Sequence, residues 1–204
     1  MLPNQIKGAI IMKRPLKKAN AMTTAELAAY IDQSVLKPEF TEAEIRQYIQ
    51  EGVDWGCATV CINPSSLPIA AELTQGTATG ICVVCDFPFG TSTTASKVLQ
   101  AESYCSHWKI QELDIVANYG WIRSGRWADV TQDIQAVTEA CHAYGTAVKV
   151  IFETDALTVE QVKRACNCAI DANADFVKTS TGFLTGHESH GATPEIIQIM
   201  LDTC

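Results

Sequence analysis

From residue 31 onward, short apolar runs alternate with longer amphipathic stretches, and this alternation limits the fold more than any other feature. IDQSVL (31–36), ATVCIN (58–63), GICVVCDF (80–87), ELDIVANYG (112–120), AVKVIFET (147–154) and ADFVKTSTG (174–182) read as strands. Helical stretches follow each: TEAEIRQYIQEG, SLPIAAELTQ, TTASKVLQAESYCSHW, DVTQDIQAVTEACHAYG, TVEQVKRACNCAIDAN and TPEIIQIMLDTC. Thr41 and Glu44 have capping-box spacing, and Gly145 suits a helix stop. Strands separated by helices predict a parallel sheet. No G-x-G-x-x-G follows the first run, so a dinucleotide-binding sheet lacks its main signal. The remaining α/β candidate is a TIM (β/α)8-type barrel, of which six of eight units can be read here.

The faces of the strands favour the barrel. Strands covered on both sides by helices read as almost continuously apolar. Here one face is repeatedly polar: Asp32 with Ser34; Thr59, Cys61 and Asn63; Asp114 with Asn118; Lys149 with Glu153; and Phe176, Lys178 and Ser180. The opposite faces carry Val60, Ile62, Leu113, Ile115, Val148, Val150 and Val177 and suit a jacket of helices. Polar faces turned inward are how a barrel builds a site.

Composition narrows the class of function. The chain has 204 residues and a net charge of -8, which argues against general nucleic-acid binding. No apolar run reaches the length of a membrane span. Lys7, Lys13, Arg14, Lys17 and Lys18 precede the first acid, Glu26, so residues 1–22 read as a basic, disordered tail or the result of an early start codon, ahead of a domain over 23–204. The nine cysteines are scattered. Cys82 and Cys85 would point to opposite faces of a strand, and Cys57, Cys61, Cys166 and Cys168 lack a second half of a zinc pattern. They read as reduced core residues of a cytoplasmic protein, with no metal and no cofactor expected. His187 and His190 fall in a Gly-rich stretch without H-E-x-x-H spacing and read as a solvated loop.

The polar faces bring Lys178, Lys149 and Asp114 into one constellation. A buried ion pair that only fixes packing is the plain alternative, but one acid cannot neutralise two lysines. A neutral lysine amine can attack a carbonyl and form a Schiff base, whose iminium accepts electrons as a neighbouring C–C bond breaks. Being neutral near pH 7 requires a loss of about three units from roughly 10.4, or about 4 kcal/mol. Burial and a nearby ammonium such as Lys149 both act in that direction, and Asp114 can move protons.

The segments IDQSVLKP, ATVCINP, DFPFG, ELDIVANYG, VKVIFET and ADFVKTSTGF resemble, in that order, the signature segments of the deoxyribose-phosphate aldolases over residues 28 to 204. The resemblance implies a class I aldolase on a TIM barrel. Its reaction is cleavage of 2-deoxy-D-ribose 5-phosphate to glyceraldehyde 3-phosphate and acetaldehyde, or the reverse. Lys178 matches the Schiff-base lysine, Asp114 the proton-relay aspartate and Lys149 the strand-five lysine. Asp32, Cys61, Thr179 and Ser180 stand at substrate-binding positions. The partners implied are a sugar phosphate and an aldehyde, with homo-oligomerisation left open.

Gln33, Cys85–Asp86 and Asn173 depart from the family pattern, and Asp86 is expected near the pocket mouth, where it would alter substrate preference. The family continues through two further strand–helix units, with another lysine and Gly-rich phosphate loops, so this sequence reads as C-terminally truncated. Six strands alone would leave open edges, and an unstable or partner-dependent chain is expected. The alternative to an active aldolase is a remnant that keeps the nucleophile without turnover, a pseudoenzyme or interaction subunit.

Overall fold

Thr41 accepts a hydrogen bond from the Glu44 amide while the Glu44 carboxylate accepts from Thr41 N at 2.8 Å, so the first long helix begins where its capping box requires. The same reciprocal cap opens helices at Thr23 with Glu26 and at Thr158 with Gln161. These contacts belong to a computed structural model that describes residues 17–204. The expected basic tail over 1–22 lies outside the described residues through residue 16; of its remainder, Ala19–Ala21 form a single 3-10 turn.

The strands are β1 (Asp32–Val35), β2 (Thr59–Ile62), β3 (Gly80–Cys85), β4 (Glu112–Val116), β5 (Ala147–Ile151) and β6 (Phe176–Lys178). They stand in sequence order in one sheet. Parallel neighbours joined by helices produce this order, because each crossover returns the chain to the next strand. The helices are α1 (Thr24–Ala28), α2 (Glu42–Trp55), α3 (Leu67–Thr74), α4 (Thr94–His107), α5 (Tyr119–Arg123), α6 (Trp127–His142), α7 (Val159–Asp171) and α8 (Pro194–Thr203). None is long and apolar enough to cross a membrane.

The chain divides into two compact units. The first takes residues up to Val83 with His107–Glu112. In it β1 pairs with β2 in the register Asp32↔Thr59, and β2 with β3 in the register Thr59↔Gly80. Val60, Ile62 and Ile49 form its interior. A Cβ on Gly52 of α2 would stand 2.9 Å from Gln33 Cβ and Val60 Cγ1, so glycine is what lets the helix lie this close to the strands.

The second unit takes Val84–Ser106 and Leu113–Cys204. β5 and β6 pair in the register Lys149↔Phe176, Val150↔Val177, Ile151↔Lys178. Asp175 sets this register: its Oδ2 accepts from Val148 N at 2.7 Å and bonds His142 Nε2 at 2.8 Å, while its own N–H donates to Val148 O. The α6 stripe Val130, Asp133, Ile134, Val137 and Cys141 faces inward at helical spacing.

Several expectations need correction. The third and fifth strands stop at Cys85 and Ile151, short of the expected 87 and 154. The sixth strand ends at Lys178 rather than 182, because Thr179 O accepts from Thr154 N and Thr181 is captured by Glu153, which turns the backbone away. The fourth strand ends at Val116, and Tyr119–Arg123 instead form α5, capped by the Asn118 side chain. Asp86 is engaged within the chain: its carboxylate accepts from Ser92 N at 2.9 Å and Ser92 Oγ at 2.6 Å and lies 3.7 Å from Lys97 Nζ. Eight of the nine cysteines are buried and free, and Cys204 is exposed. The GHESHG loop is anchored by Asp155 Oδ2, which accepts from His190 N at 2.9 Å and Gly191 N at 2.8 Å.

Candidate active site

Lys178 is the last residue of β6 and pairs with Ile151; Lys149 lies two register positions earlier along β5, on the same face by the period of two. Both reach the same carboxylate. Lys178 Nζ donates to Asp114 Oδ2 at 2.6 Å, and Lys149 Nζ donates to Asp114 Oδ1 at 3.3 Å. Asp114, in the middle of β4, is fully enclosed, and the Lys149 side chain is 8% exposed. The Lys149 ammonium also stands 5.9 Å from the centre of the Phe176 ring, a face that favours a cation.

The Lys178 side chain is 30% exposed, so the expected deep burial is corrected to partial burial. A nucleophile must be reached by its substrate, and the last position of a parallel strand provides that opening. Solvent therefore reaches the Lys178 amine, while the Lys149 ammonium shares the same carboxylate with it. With all three groups ionised, the cluster holds one positive charge in excess.

The segment after Lys178 is held from below. Glu153 is buried and takes a left-handed backbone, φ 57°, at a cost of roughly 1–2 kcal/mol. In that pose its carboxylate accepts from Thr181 N at 3.3 Å and from Thr181 Oγ1. Thr181 Oγ1 in turn accepts from Phe183 N at 3.0 Å. Ser180 Oγ and Thr154 Oγ1 are buried hydroxyls without a hydrogen-bond partner among the described residues. Thr179 contributes its carbonyl to Thr154 N at 2.9 Å.

The second unit thus brings together Lys178, Asp114 and Lys149, with Thr179 and Ser180 directly following the first. Asp32 and Cys61 belong to the first unit: Asp32 Oδ1 accepts from Thr59 Oγ1 at 2.7 Å, and Cys61 is fully buried on β2. Sequence reasoning missed Glu153 and Asp175 as supports of the β6 segment. It also missed Lys97, a fully buried lysine on α4. A signal for Lys97 was present, because Lys97, Ala101 and Cys105 recur at helical spacing on one buried stripe.

The family described as DeoC/LacD family aldolase matches residues 26–203. The deoxyribose-phosphate aldolase of Desulfitobacterium hafniense is 41% identical over 177 residues, covering 87% of this chain and 79% of the relative. Deoxyribose-phosphate aldolase 1 of Staphylococcus aureus is 43% identical over 174 residues, 85% of this chain and 76% of the relative. Among solved structures, one assigned as a deoxyribose-phosphate aldolase from Coccidioides immitis superimposes with a TM-score of 0.82 at 36% identity, over 90% of this chain and 70% of that one. The tetrameric deoxyribose phosphate aldolase of Aeropyrum pernix gives 0.78 at 25% identity, over 89% and 74%. Six parallel strands in sequence order, joined by helices, are therefore βα units of a TIM-barrel fold. The chain belongs to the DeoC/LacD family of aldolases.

Proposed function

We propose that this chain cleaves 2-deoxy-D-ribose 5-phosphate to acetaldehyde and glyceraldehyde 3-phosphate, and runs the reverse condensation, through a Schiff base on Lys178. The observation that carries this reading is the convergence of two amines on one enclosed carboxylate, with only the strand-end amine substantially open to solvent.

The steps follow from the geometry. The neutral amine of Lys178 adds to the aldehyde carbon of the open-chain sugar. Asp114, 2.6 Å away, exchanges protons with the carbinolamine, directly or through water, so that hydroxide leaves as water and a protonated imine remains. Loss of the proton from the C3 hydroxyl then breaks the C2–C3 bond. The electron pair moves into the iminium, giving an enamine and free glyceraldehyde 3-phosphate. Protonation of the enamine carbon restores an iminium, and hydrolysis releases acetaldehyde and the amine. Lys149 stays cationic beside Asp114; it disfavours a second ammonium at Lys178 and holds the carboxylate in place.

Thr179 and Ser180 are proposed as substrate contacts, and Asp32 and Cys61 keep the substrate-binding assignment that the family resemblance gives them. Ser180 supports this most directly, since a buried hydroxyl without a hydrogen-bond partner among the described residues is suited to a substrate oxygen.

The test is chemical trapping. Acetaldehyde with borohydride should leave a reduced adduct on Lys178, seen by peptide mass spectrometry and absent in Lys178→Ala. No adduct on the wild-type chain would overturn the proposal. An adduct without release of glyceraldehyde 3-phosphate from the sugar phosphate would identify a chain that keeps the nucleophile but not the turnover.

A further inference from the structure

Lys97 takes no part in the steps above, yet it is the most enclosed cation among the described residues, with none of its side chain exposed. Its ammonium donates to Asp133 Oδ2 at 2.6 Å and Val116 O at 3.1 Å, and forms a longer ion pair with Asp86 Oδ2 at 3.7 Å. The two carboxylates are themselves held. Thr94 Oγ1 donates to Asp133 Oδ1 at 2.7 Å, and Ser92 donates to both oxygens of Asp86. A lysine kept only for packing would need one acid; this one is tied to a helix, a loop and the end of a strand.

Two of those ties lead to the reacting groups. Val116 lies two residues beyond Asp114 on β4, so holding its carbonyl holds the end of the strand that presents the carboxylate. The Asp86–Gly90 loop is pressed onto the same place: Gly90 has φ 65°, and a Cβ there would stand 2.6 Å from Ala117 O and 2.7 Å from Val116 O. Asp86, also left-handed at φ 51°, sets the direction of the residue that follows. That residue, Phe87, meets Phe183 edge to face, with ring centres 5.3 Å apart and planes at 82°. Phe183 closes the short segment that begins at Lys178 and is bonded through Thr181 to Glu153.

We propose that Lys97 is a positioning residue for the aldol chemistry: it fixes the strand end that carries Asp114 and, through Asp86, Phe87 and Phe183, the segment 179–183 after the nucleophile. The inference rests on the aldolase reading for its effect on rate, but its mechanical part does not.

The test uses Lys97→Gln, Phe87→Leu and the double variant of the whole chain. Hydrogen–deuterium exchange is read at 86–92 and 179–184, and kcat and KM are measured on deoxyribose 5-phosphate. In Lys97→Gln, exchange at 179–184 should rise, although the hydrogen bonds and ion pairs of Lys97 go to Val116, Asp133 and Asp86 and not to those residues. Displacing a reacting group by about 1 Å can cost on the order of 10²-fold in rate, so kcat should fall at least about tenfold with KM changed less than about threefold. The double variant should be little slower than Lys97→Gln alone, since Phe87 lies on a route that loss of Lys97 already releases. Unchanged exchange at 179–184, or kcat losses that multiply, would overturn the proposal. If Lys97→Gln does not fold, Ser92→Ala strips the hydroxyl hydrogen bond from Asp86 Oδ1, leaves the backbone N–H bond to Oδ2 in place, alters no charge and must show a rise at 179–184. A wild-type chain that forms no adduct overturns the aldolase reading alone, and the exchange results still decide whether Lys97 restrains the segment.

Discussion

Asp114→Asn removes one charge and changes almost no volume, so it isolates what the carboxylate does for its two lysines. At an effective dielectric near 20, the attractions at 2.6 and 3.3 Å amount to roughly 6 and 5 kcal/mol. Water at the partly open Lys178 screens the first, and the desolvation of all three groups offsets much of the rest. Leaving Lys149 enclosed without its anion falls under breaking a buried pair, and the expected loss is about 3 kcal/mol. For a chain of this length that lowers Tm by about 6–12 °C. Turnover should fall at least about 10²-fold, because general acid–base help is lost. Stability and rate separate in the double variant Asp114→Asn/Lys149→Met. Removing the unpaired ammonium should return most of the Tm, whereas borohydride trapping of acetaldehyde should stay slow. Thermal melts by circular dichroism and a coupled assay for glyceraldehyde 3-phosphate measure both. A Tm within 1 °C of wild type in the single variant, or a further drop in the double one, would refute the shared-carboxylate reasoning.

Other consequences are open to direct measurement. Ser180→Ala removes a buried hydroxyl that has no hydrogen-bond partner among the described residues, so stability should hold or rise by up to about 1 kcal/mol; a KM for the sugar phosphate raised severalfold would mark it as a substrate contact, and an unchanged KM would remove it from the site. Gly52→Ala forces a methyl to 2.9 Å from Gln33 and Val60 and should cost about 1–3 kcal/mol in a denaturant melt. The chain should lose stability in alkali. Burial pushes the Cys85 and Cys166 thiols up to about 12. The unfolded chain then releases these protons first as pH climbs past 9, and unfolding gains about 1.4 kcal/mol per pH unit per thiol. Cys85→Ala should flatten the slope of stability against pH between 9 and 11 by one such increment, and an unaltered slope would contradict the assignment.

The alternation of strands and helices was legible because burial imposes a period of two on a strand and 3.6 on a helix, and both are visible in a single chain. The capping box at Thr41 is equally local, since donor and acceptor stand three residues apart. Lys178, Lys149 and Asp114 could be nominated as a group because each broke an apolar pattern at a strand position. Their separations of 2.6 and 3.3 Å could not be read, because they depend on the registers of different strands. Strand ends were least legible. Where β6 stops is set by Glu153 on another segment, whose left-handed backbone lets its carboxylate capture Thr181. Asp86 looked like a pocket residue and proved to be part of the loop that Lys97 holds.

What the amino-acid sequence determined alone was the order of elements, the inward and outward faces of the strands and the residue types offered for chemistry, all of which follow from short-range periodicity. What tertiary structure decided was which charges meet, how far Lys178 opens to solvent and which remote side chains brace it. These depend on contacts between residues 19 to 96 positions apart, and such contacts exist only once the sheet has fixed its register.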